Sequence, residues 1–141
     1  MASNTASAAL IDSFRNFCAR EAFGVLADLM RGESLVLNHL SRRREEAVFP
    51  ADLSRALGLS PSRITGILSS LRRKGFVTMA PSLSDRRRVQ VSVTDEGLAI
   101  IGQRVHLLEQ SFVRLENELG PQDTRTLARL LNRCMEILEE S

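Results

Sequence analysis

The residues best suited to binding chemistry are concentrated in one short segment, where Asp85 is followed by three consecutive arginines at positions 86–88. Guanidinium groups keep their positive charge and present several donors in a plane, which suits phosphate groups. Side by side they also repel one another, so a loop that projects them has poor intrinsic stability unless an anion neutralises it. The segment therefore predicts a surface for an anionic partner.

The charge of the chain is unevenly distributed around this segment. The whole chain has a net charge of +2. From Arg42 to Arg88 there are 11 basic and 4 acidic residues, a net of +7, and the rest has 8 basic and 13 acidic residues, a net of −5. A basic segment between acidic ends is typical of a DNA-binding lobe on a separate scaffold. A solvated charged face is the alternative.

Length and composition exclude several classes of protein. A chain of 141 residues predicts one domain, or one domain with dimerising arms. Without an apolar run of about 18 residues or a secretory signal, and with only two cysteines, it is predicted to be cytoplasmic and not membrane-bound. It has no glycine-rich phosphate loop or nucleophile motif, and His39 and His106 are too far apart for a metal site. We therefore predict no enzyme activity, no cofactor and no metal.

The elements that must position the arginines follow from apolar periodicity and from helix signals. Gly120 and Pro121 break the last helical stretch. The pattern predicts helices over residues 7–30, 33–46, 51–57, 61–74, 95–119 and 121–140, a short strand at 48–49, and a hairpin of strands 76–79 and 88–93.

One turn between these helices has helix-turn-helix spacing. Gly58 can adopt the left-handed conformation that ends a helix, and Ser60 can cap the next one with Pro61 at its first position. The helix over 61–74 has an apolar face and an outer face of small and polar residues. The arginine hairpin follows at once, and Thr94 can cap the long helix after it. The pattern predicts a winged helix-turn-helix.

Apolar stripes outside this lobe predict a homodimer. The long helix spans roughly 36 Å, too long to be covered by a lobe of this size, and its heptad seam is continuous. The predicted fold class is mainly α with a small β wing: an N-terminal dimerisation helix (1–32), a winged helix-turn-helix lobe (33–94) and C-terminal dimerisation helices (95–141). The seam consists of Leu98, Ile101, Val105, Leu108, Phe112, Leu115 and Leu119.

On these motifs the chain resembles the MarR family of winged-helix transcriptional regulators. The wing carries the family pattern in Asp85, Arg87, Val93, Thr94 and Gly97. The second part of the family pattern lies in the turn and recognition helix at residues 57–65 and in the segment that closes that helix at residues 71–77. The resemblance covers residues 33–140. The resemblance implies an obligate dimer built from the first and last two helices, a pseudo-palindromic operator, usually repression, and often release by a small ligand or an oxidant.

The predicted partner is double-stranded DNA, with helix 61–74 in the major groove and wing 81–90 in the minor groove. Arg63 could bond guanine bidentately, and Ser69 and Arg72 could contact phosphate. Asp85 is predicted to pair with an arginine and to hold the shape of the wing. The predicted DNA-binding residues are Ser60, Ser62, Arg63, Thr65, Ser69, Arg72, Arg86, Arg87 and Arg88.

The regulatory signal leaves alternatives open. Some MarR relatives sense organic hydroperoxides with a first-helix cysteine and a C-terminal partner, activated by tyrosines, and this chain has no tyrosine. Cys18 and Cys134 fall on apolar helix faces, so we predict buried, inert thiols. The alternatives are a thiol-based redox sensor of the same fold, a regulator with a small-molecule effector, and an interaction module that does not bind DNA.

Overall fold

The computed structural model describes the backbone of residues 2–140 and the side chains of residues 5–140, in two units divided between Val105 and His106. It confirms the mainly helical class with a two-stranded wing. No helix among residues 2–140 is long and apolar enough to cross a membrane. The elements are α1 (Ala2–Cys18), α2 (Glu21–Leu29), α3 (Gly32–Arg42), α4 (Pro50–Leu57), α5 (Pro61–Arg73), β1 (Val77–Pro81), β2 (Val89–Val93) and α6 (Asp95–Glu139).

The core of the first unit lies where α3, α4, α5, the wing and the start of α6 meet. Helix α5 contributes Ile64, Leu68 and Leu71 to this core. Their spacing of i, i+4 and i+7 places them on one face of the helix. Fully burying an aliphatic side chain of this size contributes about 1.5–3 kcal/mol, so this face fixes α5 against the lobe. The completely buried side chains are Val36, Leu37, Leu53, Ile64, Leu68, Leu71, Val77, Val91 and Ile101.

The wing is an antiparallel hairpin supported on its second edge. Its register runs from Val77 opposite Val93 to Pro81 opposite Val89. The N–H of Val91 also donates to the carbonyl oxygen of Val48, 2.8 Å away. A two-stranded hairpin is marginally stable by itself, so the third backbone contact and the burial of Val91 stabilise it. The strand predicted at 48–49 is reduced to this one bridge.

A tight joint links the end of α5, the wing and the start of α6. The Thr94 hydroxyl donates to the Gly75 carbonyl at 2.7 Å and accepts from the Gly97 N–H at 3.0 Å, as its predicted role as a cap requires. The Thr94 N–H donates to the Phe76 carbonyl at 3.0 Å. A Cβ on Gly97 would overlap that carbonyl oxygen and lie 2.9 Å from Val93 Cγ2. Only glycine fits there.

The single first helix predicted over residues 7–30 is wrong. The structure has two helices, α1 and α2, because Arg20 adopts an extended conformation (φ −83°, ψ 147°). The bend brings the rings of Phe17 and Phe23 into an edge-to-face contact with centroids 5.7 Å apart. Residues six apart do not meet on one straight helix, so this contact belongs to the bend. No glycine or proline marks the position, and the sequence pattern therefore missed it.

The second predicted helix also ends too late. Helix α3 ends at Arg42 rather than at residue 46, because Arg43 leaves the helical conformation (φ −123°, ψ 34°). A turn follows in which the Glu46 N–H donates to the Arg43 carbonyl. This early end lets the chain return to pair Val48 with β2. The hairpin strands are likewise shifted from 76–79 and 88–93 to 77–81 and 89–93.

The second unit continues α6 and confirms the predicted break at Gly120. Gly120 has φ 81° and ψ 163°, a conformation that favours glycine, and the Thr124 hydroxyl donates to its carbonyl at 2.7 Å. The heptad seam is buried at Ile101 but half-exposed at Phe112 and beyond. The segment after the break exposes a further apolar stripe in the single chain: Leu127, Leu130, Leu131, Met135, Ile137 and Leu138.

The joint generates a first prediction. Gly97→Ala should lower the free energy of unfolding by about 1–3 kcal/mol, because the new methyl group overlaps a backbone carbonyl that cannot move freely. The measurement is the urea midpoint. Gly102→Ala in the same helix is the control, since nothing lies within 4 Å of the added Cβ and alanine favours helix by about 0.5–1 kcal/mol. Equal midpoints for the two variants would contradict the joint.

Candidate nucleic-acid interface

The turn before α5 is fixed by its own side chains. Gly58 ends α4 with φ 64°, the left-handed conformation predicted for it. The Ser54 hydroxyl donates to the Leu59 carbonyl at 2.6 Å, which holds the turn against α4. Ser60 then caps α5, because its hydroxyl oxygen accepts from the Arg63 N–H at 3.2 Å. These bonds set the direction in which α5 leaves the turn.

The outward face of α5 is polar and carries small side chains. Ser62, Gly66, Ser69 and Arg73 are spaced i, i+4, i+7 and i+11, which is one helix face, and all four are exposed. Small residues let another molecule approach the backbone closely. Arg73 was not among the predicted contact residues, although its spacing from Ser62 was a signal in the sequence.

Other predicted contact residues have partners inside the helix or lie at its flank. The Thr65 hydroxyl donates to the Pro61 carbonyl at 2.9 Å, so only its acceptor capacity remains. The Ser60 hydroxyl oxygen is occupied by its cap. Arg72 is exposed on the flank of the outward face. The structure therefore brings Ser62 and Ser69 together, and gives Ser60 a structural role.

The opposite flank of α5 contacts the start of α3. Arg63, Ser70 and Lys74 share that flank at i, i+7 and i+11. Lys74 Nζ lies 2.7 Å from Glu33 Oε2, and the Ser70 hydroxyl donates to Glu33 Oε1. The adjacent Ser34 is buried and accepts from the Arg104 guanidinium of α6. The first turn of α3 therefore anchors both α5 and α6, which the sequence analysis missed because the partners are 37 or more residues apart.

This flank borders an open cleft of about 420 Å³. Arg31, Arg63 and Arg104 line it, together with the acidic side chains of Asp28 and Glu33. Arg63 therefore lies between the cleft and the outward face of α5, rather than at the centre of that face. Its contact with a base stays a prediction.

Two titratable groups near the basic lobe have shifted pKa values. Burial raises the pKa of Glu33, but hydrogen bonds from Lys74 and Ser70 and the charges of Lys74 and Arg104 outweigh it, so the net pKa falls below 4.5. Burial, then the charge of Arg43, lowers the pKa of His39 below 6.5 despite the opposing effect of Glu46. His39 is thus mainly neutral at pH 7, and the arginines determine the positive charge of the lobe.

The wing tip is a turn organised by Asp85. The Arg88 N–H donates to the Asp85 carbonyl at 3.0 Å, so Arg86 and Arg87 occupy the two corner positions. Asp85 Oδ1 accepts from the Arg87 N–H at 3.1 Å and from its Nε at 3.4 Å. Aspartate is favoured at the first position of such turns because its carboxylate can accept these bonds. The structure therefore contains the predicted pair of Asp85 with an arginine.

Arg88 differs from the other two wing arginines. Its guanidinium carbon lies 3.7 Å from the centre of the Phe49 ring, at the start of α4. Its carbonyl oxygen accepts from the Ser82 N–H at 2.8 Å, which closes the base of the wing loop. The three consecutive arginines thus divide into two at the corner and one over an aromatic ring.

The cysteines are not where the sequence analysis placed them. Cys18 and Cys134 are both exposed in the single chain, so the expectation of buried core thiols is wrong for the chain alone. The reason is that the apolar faces of α1 and of the end of α6 are themselves half-exposed. Among residues 5–140, no group of three or more histidine, cysteine or acidic side chains is placed to hold a metal ion.

These elements form a winged helix-turn-helix domain. It consists of α4, the turn, the capped helix α5 with its polar outward face, and the hairpin with arginines at its tip. Residues 27–88 match the model described as MarR family. The winged lobe is therefore similar to the MarR family over these 62 residues, which are just under half of the chain.

Relatives in sequence carry names of regulators. The chain is 34% identical over 115 residues to the HTH-type transcriptional regulator PecS of Dickeya dadantii, covering 82% of this chain and 63% of PecS. It is 31% identical over 77 residues to the homoprotocatechuate degradative operon repressor of Escherichia coli, covering 55% of this chain and 51% of the repressor. The chain therefore spans about half to two thirds of the length of these relatives.

A solved structure supports the fold. A mutant of S. aureus MepR bound to an oligodeoxyribonucleotide has a TM-score of 0.65 and 16% identity, over 94% of this chain and 97% of that one. At this identity the likeness shows the fold alone.

The Glu33 contacts generate a second prediction. Glu33→Gln should lower the free energy of unfolding by about 0.5–1 kcal/mol, since the pair with Lys74 is partly exposed. The folded pKa lies below 4.5, so the stabilisation is complete above that pH and is lost as the pH falls through the folded pKa. Urea midpoints of both proteins, measured from neutrality downwards, should converge in acid. Glu45→Gln, at an exposed glutamate, is the control, and a constant difference at all pH values would contradict the assignment.

Proposed function

We propose that the chain is a homodimeric, sequence-specific DNA-binding regulator of transcription that acts as a repressor in the cytoplasm. The observation that carries the proposal is the pairing of a polar, exposed α5 face with two corner arginines in one lobe. Relatives named as regulators and a repressor support the class, and a fold neighbour was solved with an oligodeoxyribonucleotide. The operator is proposed to be pseudo-palindromic because two copies of one lobe would read it.

The proposed contacts divide between two grooves. Helix α5 would enter the major groove with Ser62, Ser69 and Arg73 on its outward face and with Arg63 at the edge of that face, in reach of guanine. Thr65 retains acceptor capacity there, and Arg72 at the flank would contact phosphate. Arg86 and Arg87 would enter the minor groove, where a narrow A·T-rich stretch has a deeper negative potential.

The dimer is proposed from the apolar surfaces of the single chain. Phe14 and Phe17 on α1 are half-exposed, as are Phe112 and Leu130 on α6. Exposed apolar side chains of this size, repeated along both helices, are typical of an interaction site. A second copy of the chain would cover it and would supply the second lobe that the proposed operator needs.

An effector would act at the cleft beside Arg63. Three of its lining residues, Arg31, Arg63 and Arg104, are arginines, so we propose an anionic small molecule as the ligand class. Such a ligand would contact the start of α5 directly. Because Cys18 and Cys134 are exposed, a redox sensor of the same fold is the alternative. Measuring DNA binding with and without oxidant distinguishes the two.

A third prediction tests the dimer. Light scattering should give a mass of about twice 15.7 kDa at micromolar concentration. Leu130→Glu should dissociate or unfold the protein, because a buried unpaired charge costs several kcal/mol. In a monomer the same change would be nearly neutral, since Leu130 is 45% exposed in the single chain. Asn132→Glu adds the same charge to an exposed polar position of that helix and should leave the mass unchanged. A well-folded wild-type monomer would refute the proposal.

A fourth prediction tests DNA binding by the wing. With a fragment of the protein's own promoter region, Arg87→Ala should weaken binding and reduce the slope of log affinity against log salt by about 0.9, the value for one phosphate neutralised. Fluorescence anisotropy at several salt concentrations measures both quantities. Arg15→Ala removes the same charge from α1 and should change neither. If wild-type protein shows no specific binding, the interaction-module alternative is correct.

A further inference from the structure

The base of the wing packs against the lobe, where Val77 and Val91 are buried. The Val91 N–H donates to the Val48 carbonyl on one edge of the sheet. Beyond that bridge, the strands continue to Pro81 and Val89, and the loop between them contains the corner arginines. A loop extending past its last backbone contact has no fixed direction unless a side chain supplies one.

Arg88 supplies such a contact. Its guanidinium lies over the ring of Phe49 at 3.7 Å, well inside the distance of about 6 Å at which cation–π attraction operates. Phe49 is itself held at the start of α4, because its N–H donates to Asp52 Oδ2 at 3.0 Å. The contact therefore connects the wing loop to a fixed helix terminus.

The backbone of Arg88 adds two bonds that transmit this position to the tip. Its N–H donates to the Asp85 carbonyl and closes the turn that presents Arg86 and Arg87. Its carbonyl accepts from the N–H of Ser82, which is buried. Fixing the side chain of Arg88 thus fixes both ends of the loop.

We propose that Arg88 is a positioning residue, which clamps the wing to Phe49 so that Arg86 and Arg87 meet DNA in a preset geometry. This inference rests on the proposed function for its DNA-binding consequence. It separates Arg88 from its two neighbours, which sequence alone treats as equivalent. A guanidinium that packs on an aromatic ring orients the loop and does not contact phosphate.

The first experiment needs no DNA. Hydrogen exchange at the Ser82 amide of the free protein should be about two- to fivefold faster in Arg88→Met and in Phe49→Leu, because each removes a contact of about 0.5–1 kcal/mol. Phe49→Tyr retains an aromatic face and should exchange as the wild type does. Exchange at the Leu68 amide in the core reports global stability and should be unchanged. Wild-type exchange at Ser82 in Arg88→Met would overturn the clamp.

The second experiment measures DNA affinity and its salt dependence for the same variants and for the double variant. Arg88→Met and Phe49→Leu should each weaken binding by about three- to tenfold with the wild-type salt slope, and the double variant should be no weaker than either. A slope reduced by about 0.9 in Arg88→Met, with wild-type affinity in Phe49→Leu, would make Arg88 a phosphate contact and overturn the inference. Absence of binding by the wild type would refute the proposed function, while the exchange experiment would still decide the clamp.

Discussion

The close approach of Gly97 to the Phe76 carbonyl is the constraint on which the lobe depends. At this point the chain leaves α5, enters the wing, returns from it and begins α6. The Thr94 hydroxyl bonds to both sides of the junction, to the Gly75 carbonyl and to the Gly97 N–H. Because a side chain at position 97 would overlap the backbone, the start of α6 is set directly against the end of α5. One junction therefore fixes α5, the wing and the start of α6 relative to one another within the first unit.

The arginines of the basic segment have different electrostatic surroundings. Arg55 is paired with Asp52 at 2.7 Å, and Arg87 is held by Asp85 at 3.4 Å. Lys74 is paired with Glu33, which lies outside the basic segment in sequence. The net charge of +7 already includes Asp52 and Asp85, so only the pair with Glu33 lowers it, from +7 to +6. Arg73 and Arg86 are exposed, so their charges face solvent, where the proposed DNA partner would bind.

The sequence predicted those elements whose signals are local. Gly58, Ser60 and Gly120 marked their helix ends correctly, because a left-handed glycine or a capping hydroxyl acts on neighbouring residues. The bend at Arg20 was missed because no glycine or proline between Phe17 and Phe23 signals a break, and the ring contact that accompanies it joins residues six apart. The end of α3 was misplaced because tertiary pairing of Val48 with Val91 determines it.

The candidate site was predictable in composition but not in arrangement. The run of three arginines identified the wing, yet only the structure places two at the corner and the third over Phe49, which is 39 positions earlier in the sequence. The Glu33 anchor was invisible for the same reason. Sequence spacing predicts which side chains share a helix face, whereas contacts between elements depend on how those elements pack.

The apolar seam of α6 is buried only near the start of the helix. Ile101 is buried against the lobe, whereas Phe112, Leu115 and Leu119 on the same seam are 38–45% exposed. Full burial contributes about 1.5–3 kcal/mol to a fully exposed side chain of this size, so the exposed two-fifths would gain roughly 0.6–1.3 kcal/mol each, and the seam favours a partner along its exposed part. If that partner is a second copy, the contacts of Thr94, Gly97 and Phe76 in each copy would hold α5 and the start of α6 in a fixed arrangement within the first unit.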